Sequence, residues 1–439
     1  MFTVARALHH ARLHRRGHAI IAAGRIALGA KPSMSTRTLF NKVKARLARL
    51  SWGQRVRLSR LKTRLFGAPS LGSQGDAAPL AGRFCPNPFK QVDLMHSGAC
   101  YTCCSAWLPT PMGNVKHQSM RQLWNGPVMQ KIRESIYDGS FRYCNHERCP
   151  VIQNGELPSI EEAEKDPVYG DVVKARATTM DTLPTFINMV NDASCNLYCP
   201  SCRTERVVIN EGKAFDRIAE IQERFLADWL AEPNEADFTL SITGSGDPFA
   251  SRAYRELLYT LDGNRYPNMK IALQTNGVLL TPRNWKRMEG VHGNISSILV
   301  SFDAATADTY AITRRGGHWA TLMANCERLG QLRRHGEIRN LRYDFVVQAA
   351  NYREMPAFVE LARRLGADRA YFSRLVDWGT WPKREFEAQC PWRPEHPEHE
   401  AFLAVMADPA LDDPFVDLGN MTQWREKALQ NRLQNGLEG

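Results

Sequence analysis

Short apolar runs recur between positions 186 and 373, and most are followed by a stretch whose apolar residues return at helical spacing. The first, Phe186-Ile187-Asn188-Met189-Val190-Asn191, is followed by runs at 238–243, 270–275, 297–302, 342–348 and 369–373. Runs of this length, bounded by Gly, Asn and Asp, read as buried strands. Residues 205–230 read as a helix between the first two. Strand and helix alternate about six times, and such alternation predicts a parallel sheet. The predicted fold class is α/β: a partial (β/α)6 TIM-like barrel over residues 180–385, with a small Cys-rich segment before it. Ligand sites in parallel barrels lie at the carboxyl ends of strands. Cys195, Cys199, Cys202, Asp247, Asn276, Ser301, Asp303 and Gln348 all follow or end such runs.

The polar pattern differs before the barrel. Residues 1–75 contain no Asp or Glu but 16 of the 57 Lys and Arg, so the 46 acidic residues slightly outnumber the basic ones in the remainder. The formal charge of +11 therefore belongs to the extension, and the main body offers no basic groove for nucleic acid. The extension reads as one or two basic amphipathic helices that touch a membrane surface or a partner, as a transit-like peptide, or as the product of a start placed before a true one at Met34. The apolar stretch 19–30 is interrupted by Arg25 and is shorter than the roughly 20 residues that span a bilayer. Export is not expected, and the cytoplasm is the expected location. Residues 80–155 form the Cys-rich segment and 386–439 a helix-and-loop tail covering the barrel, with His396 and His399 expected at the surface.

Spacing decides what the eleven cysteines do. Six lie between Cys85 and Cys149, three in one run at 195–202, and Cys326 and Cys390 stand alone as expected core thiols. Clustering favours metal over a secreted disulfide framework. In Asp192-Ala193-Ser194-Cys195-Asn196-Leu197-Tyr198-Cys199-Pro200-Ser201-Cys202-Arg203 a strand runs into a loop bearing three thiols. Structural zinc takes four closed ligands, and three leave one position open. A 4Fe-4S cube held by three cysteines has such an open position, at its fourth iron. A zinc knuckle with a distant fourth ligand is the alternative.

Cys195-x3-Cys199-x2-Cys202, with Asn196-Leu197-Tyr198 and Pro200, resembles the signature of the radical S-adenosylmethionine (radical SAM) superfamily, and later elements resemble that family over about residues 183–385. Ser201 departs from it, because an aromatic residue that packs on the adenine often stands there. By the resemblance, Gly244-Ser245-Gly246-Asp247-Pro248 corresponds to the loop that binds the amino group of the cofactor's methionine, with Asp247 for the acidic residue and Ser245 for a glycine. Asn276, Ser301, Asp303 and Gln348 are implied as further cofactor contacts, Ser301 and Asp303 near the ribose and carboxylate. Without the resemblance, Asn276 and Asp303 read as turn and cap residues. Arg314 and Arg315 read equally as carboxylate holders or as a solvated pair.

Upstream, Cys85-x12-Gly98-x4-Cys103, followed by Cys144-x4-Cys149-Pro150, resembles the SPASM or twitch auxiliary domain of the same superfamily, here placed before the barrel rather than after it. The implied ligands of one auxiliary 4Fe-4S cluster are Cys85, Cys103, Cys144 and Cys149, with Cys104 competing with Cys103. A four-cysteine zinc site satisfies the same spacing. The resemblance implies reductive cleavage of S-adenosylmethionine to a 5′-deoxyadenosyl radical, hydrogen abstraction from a peptide, carbohydrate or small metabolite, and an electron donor such as flavodoxin or ferredoxin. The other class of function is a zinc- or iron-binding interaction module without catalysis.

Overall fold

The computed structural model describes residues 80–437, Thr243 excepted. The basic helices and Met34 of the extension lie outside the described residues. The six expected strands are present: β4 (Phe186–Val190), β5 (Phe238–Ile242), β6 (Met269–Thr275), β7 (Ile295–Ser301), β8 (Leu341–Val347) and β9 (Arg369–Arg374). They pair in parallel and in chain order. Helices occupy the connections, among them Gly212–Leu230, Arg252–Thr260, Trp319–Arg334 and Met355–Arg364. Parallel neighbours need such crossovers, and a constant hand of crossover puts the helices on one face.

The alternation within each strand follows from that layering. Ile187 and Met189 in β4, Leu240 and Ile242 in β5, and Tyr343, Phe345 and Val347 in β8 are buried in the core. Their strand neighbours Asn188, Ser241 and Val346 are only half-buried on the opposite face. The Gly212–Leu230 helix answers with Ile218, Ile221, Phe225 and Trp229 on its buried stripe. This helix starts seven residues later than the apolar pattern predicts. Residues before it are held by the cysteine loop: Cys195 N–H donates to Val207 O at 2.7 Å and Ile209 N–H to Ser194 Oγ at 2.9 Å.

The Cys-rich segment shares the same sheet. Strand β1 (Gln91–Met95) pairs in parallel with β4, from Gln91 opposite Phe186 to Met95 opposite Val190, and β2 (Ala99–Tyr101) and β3 (Gly113–Asn114) follow as antiparallel neighbours. At the other end β10 (Val416–Asp417) adds to β9, giving ten strands in the order β10-β9-β8-β7-β6-β5-β4-β1-β2-β3. The tail packs on the barrel through helices His399–Met406 and Thr422–Leu437. His399 is not a surface residue as expected. It is buried, with Nδ1 against Pro391 O at 3.1 Å and Nε2 against Lys427 Nζ at 3.2 Å, because the last helix closes over it. Cys326 and Cys390 are buried thiols, and all eleven cysteines are free of disulfides. Among the described residues no helix is long and apolar enough to cross a membrane.

Candidate functional site: two cysteine centres

The loop after β4 is built on Asp192. Its Oδ1 accepts Ser194 N–H and Oγ–H, and its Oδ2 accepts Ser251 Oγ–H at 2.6 Å, which ties the loop to the start of the helix after β5. Gly246 lets the second loop approach: a Cβ there would lie 2.5 Å from Ser194 O and 2.9 Å from Asp192 O, so any side chain would push the two loops apart. Arg203 spans them, donating to Ala193 O at 2.7 Å and Ser245 O at 2.8 Å.

Cys195, Cys199 and Cys202 consequently open on one cleft of about 160 Å³, with Gly244, Ser245, Gly246, Asn276 and Ser301 on its other walls. Cys195 and Cys199 are buried and Cys202 is exposed. Burial pushes the Cys195 thiol up to about 11, with Asp247 adding to the effect. Burial also raises Cys199, against the lowering influence of Arg314.

Three of the cofactor contacts implied by sequence do not line this cleft. Asp247 is fully buried with both carboxylate oxygens engaged. Oδ1 accepts Phe249 N–H at 2.9 Å and Ala250 N–H at 3.2 Å, and Oδ2 accepts Thr275 Oγ–H at 2.7 Å and Asn276 N–H at 2.9 Å. It fastens the glycine-rich loop to the end of β6. Asp303, in a left-handed conformation at φ +57°, is buried, accepts Val346 N–H at 2.7 Å and forms an ion pair of 2.9 Å with Arg314 Nη2. Gln348 is buried at the end of β8, and its Nε2 has no hydrogen-bond partner among the described residues. Arg203 and Arg314 are the residues sequence reasoning undervalued. Arg314 lines the cleft with a side chain only 13% exposed, and its Nε is buried without a partner. Its pairing with Asp303 depends on the short helix Ala307–Thr313, which brings Arg314 at its C-terminal end back toward residue 303, an arrangement no short motif encodes.

The second centre is a small chamber of about 30 Å³ lined by Cys85, Cys103, Cys144 and Cys149 among Trp107, Leu108, Phe141 and Leu157. Cys104 and Cys100 do not line it. Cys104 instead uses its carbonyl to start the turn at Trp107 and Leu108, and Asn145 N–H donates to Trp107 O at 2.6 Å, drawing the 144–149 loop against that turn. Asn87 Nδ2 donates to Cys103 Sγ at 3.5 Å. Arg133, fully buried, braces the chamber's wall by donating to Pro88 O at 2.9 Å and Thr178 O at 2.7 Å while stacking 4.4 Å over Trp124. Burial pushes Cys85 up to about 11 and raises Cys103 and Cys144 further.

Among the described residues no three His, Cys, Asp or Glu side chains converge closely enough for a single metal ion. The thiols instead line two separate spaces. Three thiols beside a buried guanidinium with an unpartnered nitrogen suit a cluster with an anionic ligand, and four thiols in apolar surroundings suit a fully ligated cluster.

Comparison with known proteins agrees with this reading. Residues 193–369 match the radical SAM superfamily, and residues 85–150 match SPASM, an iron-sulfur cluster-binding domain. No curated protein matches the chain. Solved structures similar to it include TYW1 with a lysine-pyruvate adduct (16% identity, TM-score 0.32), covering 50% of this chain and 70% of that one. Streptococcus suis SuiB bound to S-adenosylmethionine has 15% identity and a TM-score of 0.33, covering 52% of this chain and 51% of that one. For anSMEcpe with bound AdoMet the values are 16% and 0.35, over 50% of this chain and 57% of that one. The chain thus spans only about half the length of the SuiB and anSMEcpe structures. A radical SAM domain implies a 4Fe-4S cluster and S-adenosylmethionine, and a SPASM domain implies auxiliary iron-sulfur. The chain thus carries a segment that matches the SPASM domain, at 85–150, ahead of one that matches the radical SAM superfamily, at 193–369.

Proposed function

We propose that this protein is an enzyme that cleaves S-adenosylmethionine reductively at the mouth formed by β4 to β7 and abstracts hydrogen from a peptide or small-molecule substrate. The observation that carries this reading is the convergence of three thiols, the glycine-rich loop, Asn276 and Ser301 on one cleft. Cys195, Cys199 and Cys202 are the proposed ligands of the radical cluster; Cys85, Cys103, Cys144 and Cys149 those of the auxiliary one. When bound, the first cluster supplies one electron to S-adenosylmethionine, giving methionine and a 5′-deoxyadenosyl radical that takes a hydrogen atom from substrate.

The chain's own residues hold the reactants. Gly244, Ser245 and Gly246 bring backbone polar groups to the cleft wall. Asp247 acts behind them, keeping that loop in register with Asn276 through four accepted hydrogen bonds. Ser301 and Arg314 supply a hydroxyl and a cation on the facing wall, suited to the hydroxyls and carboxylate of the cofactor.

Full thiol ligation of the auxiliary site favours electron acceptance, hence net oxidation or crosslinking over isomerisation. The first electron would come from a flavodoxin or ferredoxin. Eleven disulfide-free cysteines support a reducing compartment such as the cytoplasm. The test is anaerobic reconstitution, reduction with dithionite and chromatographic measurement of 5′-deoxyadenosine and methionine formed from S-adenosylmethionine. Wild type should form both, and Cys199→Ala should form neither above the protein-free background. Equal product from the two proteins would sink the proposal.

A further inference from the structure

Each thiol of the cleft receives a side-chain N–H from a different part of the fold. Asn276 Nδ2 donates to Cys195 Sγ at 3.8 Å, Arg314 Nη1 to Cys199 Sγ at 3.9 Å, and Arg203 Nη2 to Cys202 Sγ at 3.6 Å. Two of the three donors are permanent cations. They sit in different surroundings. Arg203 lies beside the exposed Cys202, where water screens its charge. Arg314 is enclosed, and its other end is fixed by the 2.9 Å ion pair with Asp303.

Asp303 is held in turn by three contacts besides that pair. Its Oδ1 accepts Val346 N–H, and its carbonyl accepts Asn351 Nδ2–H at 2.9 Å and Thr313 Oγ–H at 3.2 Å. These contacts offset the cost of a left-handed backbone at a non-glycine residue. The guanidinium is thereby aimed at Cys199 by a rigid anchor reaching from β8 to the cysteine loop.

We infer that Arg314, oriented by Asp303, is a positioning residue that raises the reduction potential of the cluster on Cys195, Cys199 and Cys202. The inference rests on the proposed function. Reduction adds negative charge to the cluster, and an N–H donor or a nearby cation on a ligand sulfur stabilises the reduced form more than the oxidised one. Burial makes the Arg314 charge count for more than that of Arg203, because Coulomb interactions weaken as the effective dielectric rises. Asp303 neutralises part of the cation, so the pair sets the potential between two extremes. Asn276, a neutral donor, contributes least.

The experiment is a redox titration of the reconstituted full-length protein followed by electron paramagnetic resonance, with iron content measured for every variant. Arg314→Gln should lower the midpoint of the radical cluster, Arg314→Lys should recover most of the loss, and Asp303→Asn should raise the midpoint above wild type. The auxiliary cluster serves as an internal reference and should hold its midpoint throughout. Opposite signs for the Arg314 and Asp303 variants separate electrostatics from a loosened site, which would shift or empty the cluster in both. If Arg314→Gln fails to take up iron, the comparison of Arg314→Lys with Asp303→Asn carries the decision. Unchanged midpoints at full iron content, or shifts of the same sign in the two positions, would overturn the inference. Wild type without a cluster on these cysteines would instead overturn the proposed function.

Discussion

The two cysteine centres share one sheet but differ in nearly every other respect. The three-cysteine cleft is open, crossed by Arg203 and Arg314, and bounded by two loops that Asp192 and Asp247 hold from behind. The four-cysteine chamber is walled by Trp107, Leu108, Phe141 and Leu157, with no charged side chain on its lining. A fully ligated metal centre in apolar surroundings has no position for a substrate, which suits storing or passing electrons. A centre with one ligand missing, among cations and hydroxyls, suits binding a cofactor through a carboxylate. Under the proposed function, the chemistry belongs at the barrel mouth and the chamber has a supporting role.

The sharpest way to break that contrast is to empty one centre at a time. Cys199→Ala should abolish cofactor cleavage, whereas Cys144→Ala should lose about four iron yet still form 5′-deoxyadenosine from S-adenosylmethionine. Product analysis and iron determination read both effects, and loss of cleavage in both variants would collapse the division of labour.

A smaller but graded difference should appear in the metal-free protein. Burial pushes Cys85 and Cys195 up to about 11, so at neutral pH both thiols keep their protons and few thiolates are present. Exposed Cys202 should react with iodoacetamide first, with Cys85 and Cys195 slower at pH 7 and speeding up as pH approaches 11. Peptide mass spectrometry at several pH values resolves the order. Because ligation needs thiolates, cluster uptake should release protons and become tighter with rising pH.

Stability should divide along the same line. Asp247→Ala strips four hydrogen bonds from a buried carboxylate and should cost about 3 kcal/mol, detected by denaturant unfolding, together with loss of the cleft's glycine-rich wall. Arg133→Met keeps the stacking volume over Trp124 but frees Pro88 O and Thr178 O, and should cost about 1–2 kcal/mol with its effect on the auxiliary iron alone.

Much of the fold was legible because each barrel strand carries its own local pattern. The expected run at 270–275 became Met269–Thr275, and the one at 297–302 became Ile295–Ser301. Strand β1 was harder to see, since Gln91-Val92-Asp93-Leu94-Met95 is short and finds its partner β4 about 95 residues away. The resemblance to SPASM domains implies Cys85, Cys103, Cys144 and Cys149 as a set, and the four line one chamber. Asp247 shows the limit of motif reading: its place in a Gly-Ser-Gly-Asp-Pro loop points to a ligand, whereas its hydrogen bonds turn it inward to Thr275 and Asn276. Arg314 shows the converse. An Arg-Arg pair reads as solvated until the helix Ala307–Thr313 carries one member into the cleft beside Asp303.

The most direct measurement is iron and acid-labile sulfide content with an electron paramagnetic resonance spectrum after anaerobic reconstitution, comparing wild type with a variant in which Cys195, Cys199 and Cys202 are all alanine. About eight iron in wild type falling to about four in the variant, with loss of the signal that changes on adding S-adenosylmethionine, is the expected result. Zinc in place of iron, or iron content unaffected by the triple substitution, would contradict the assignment of the radical cluster to these three cysteines.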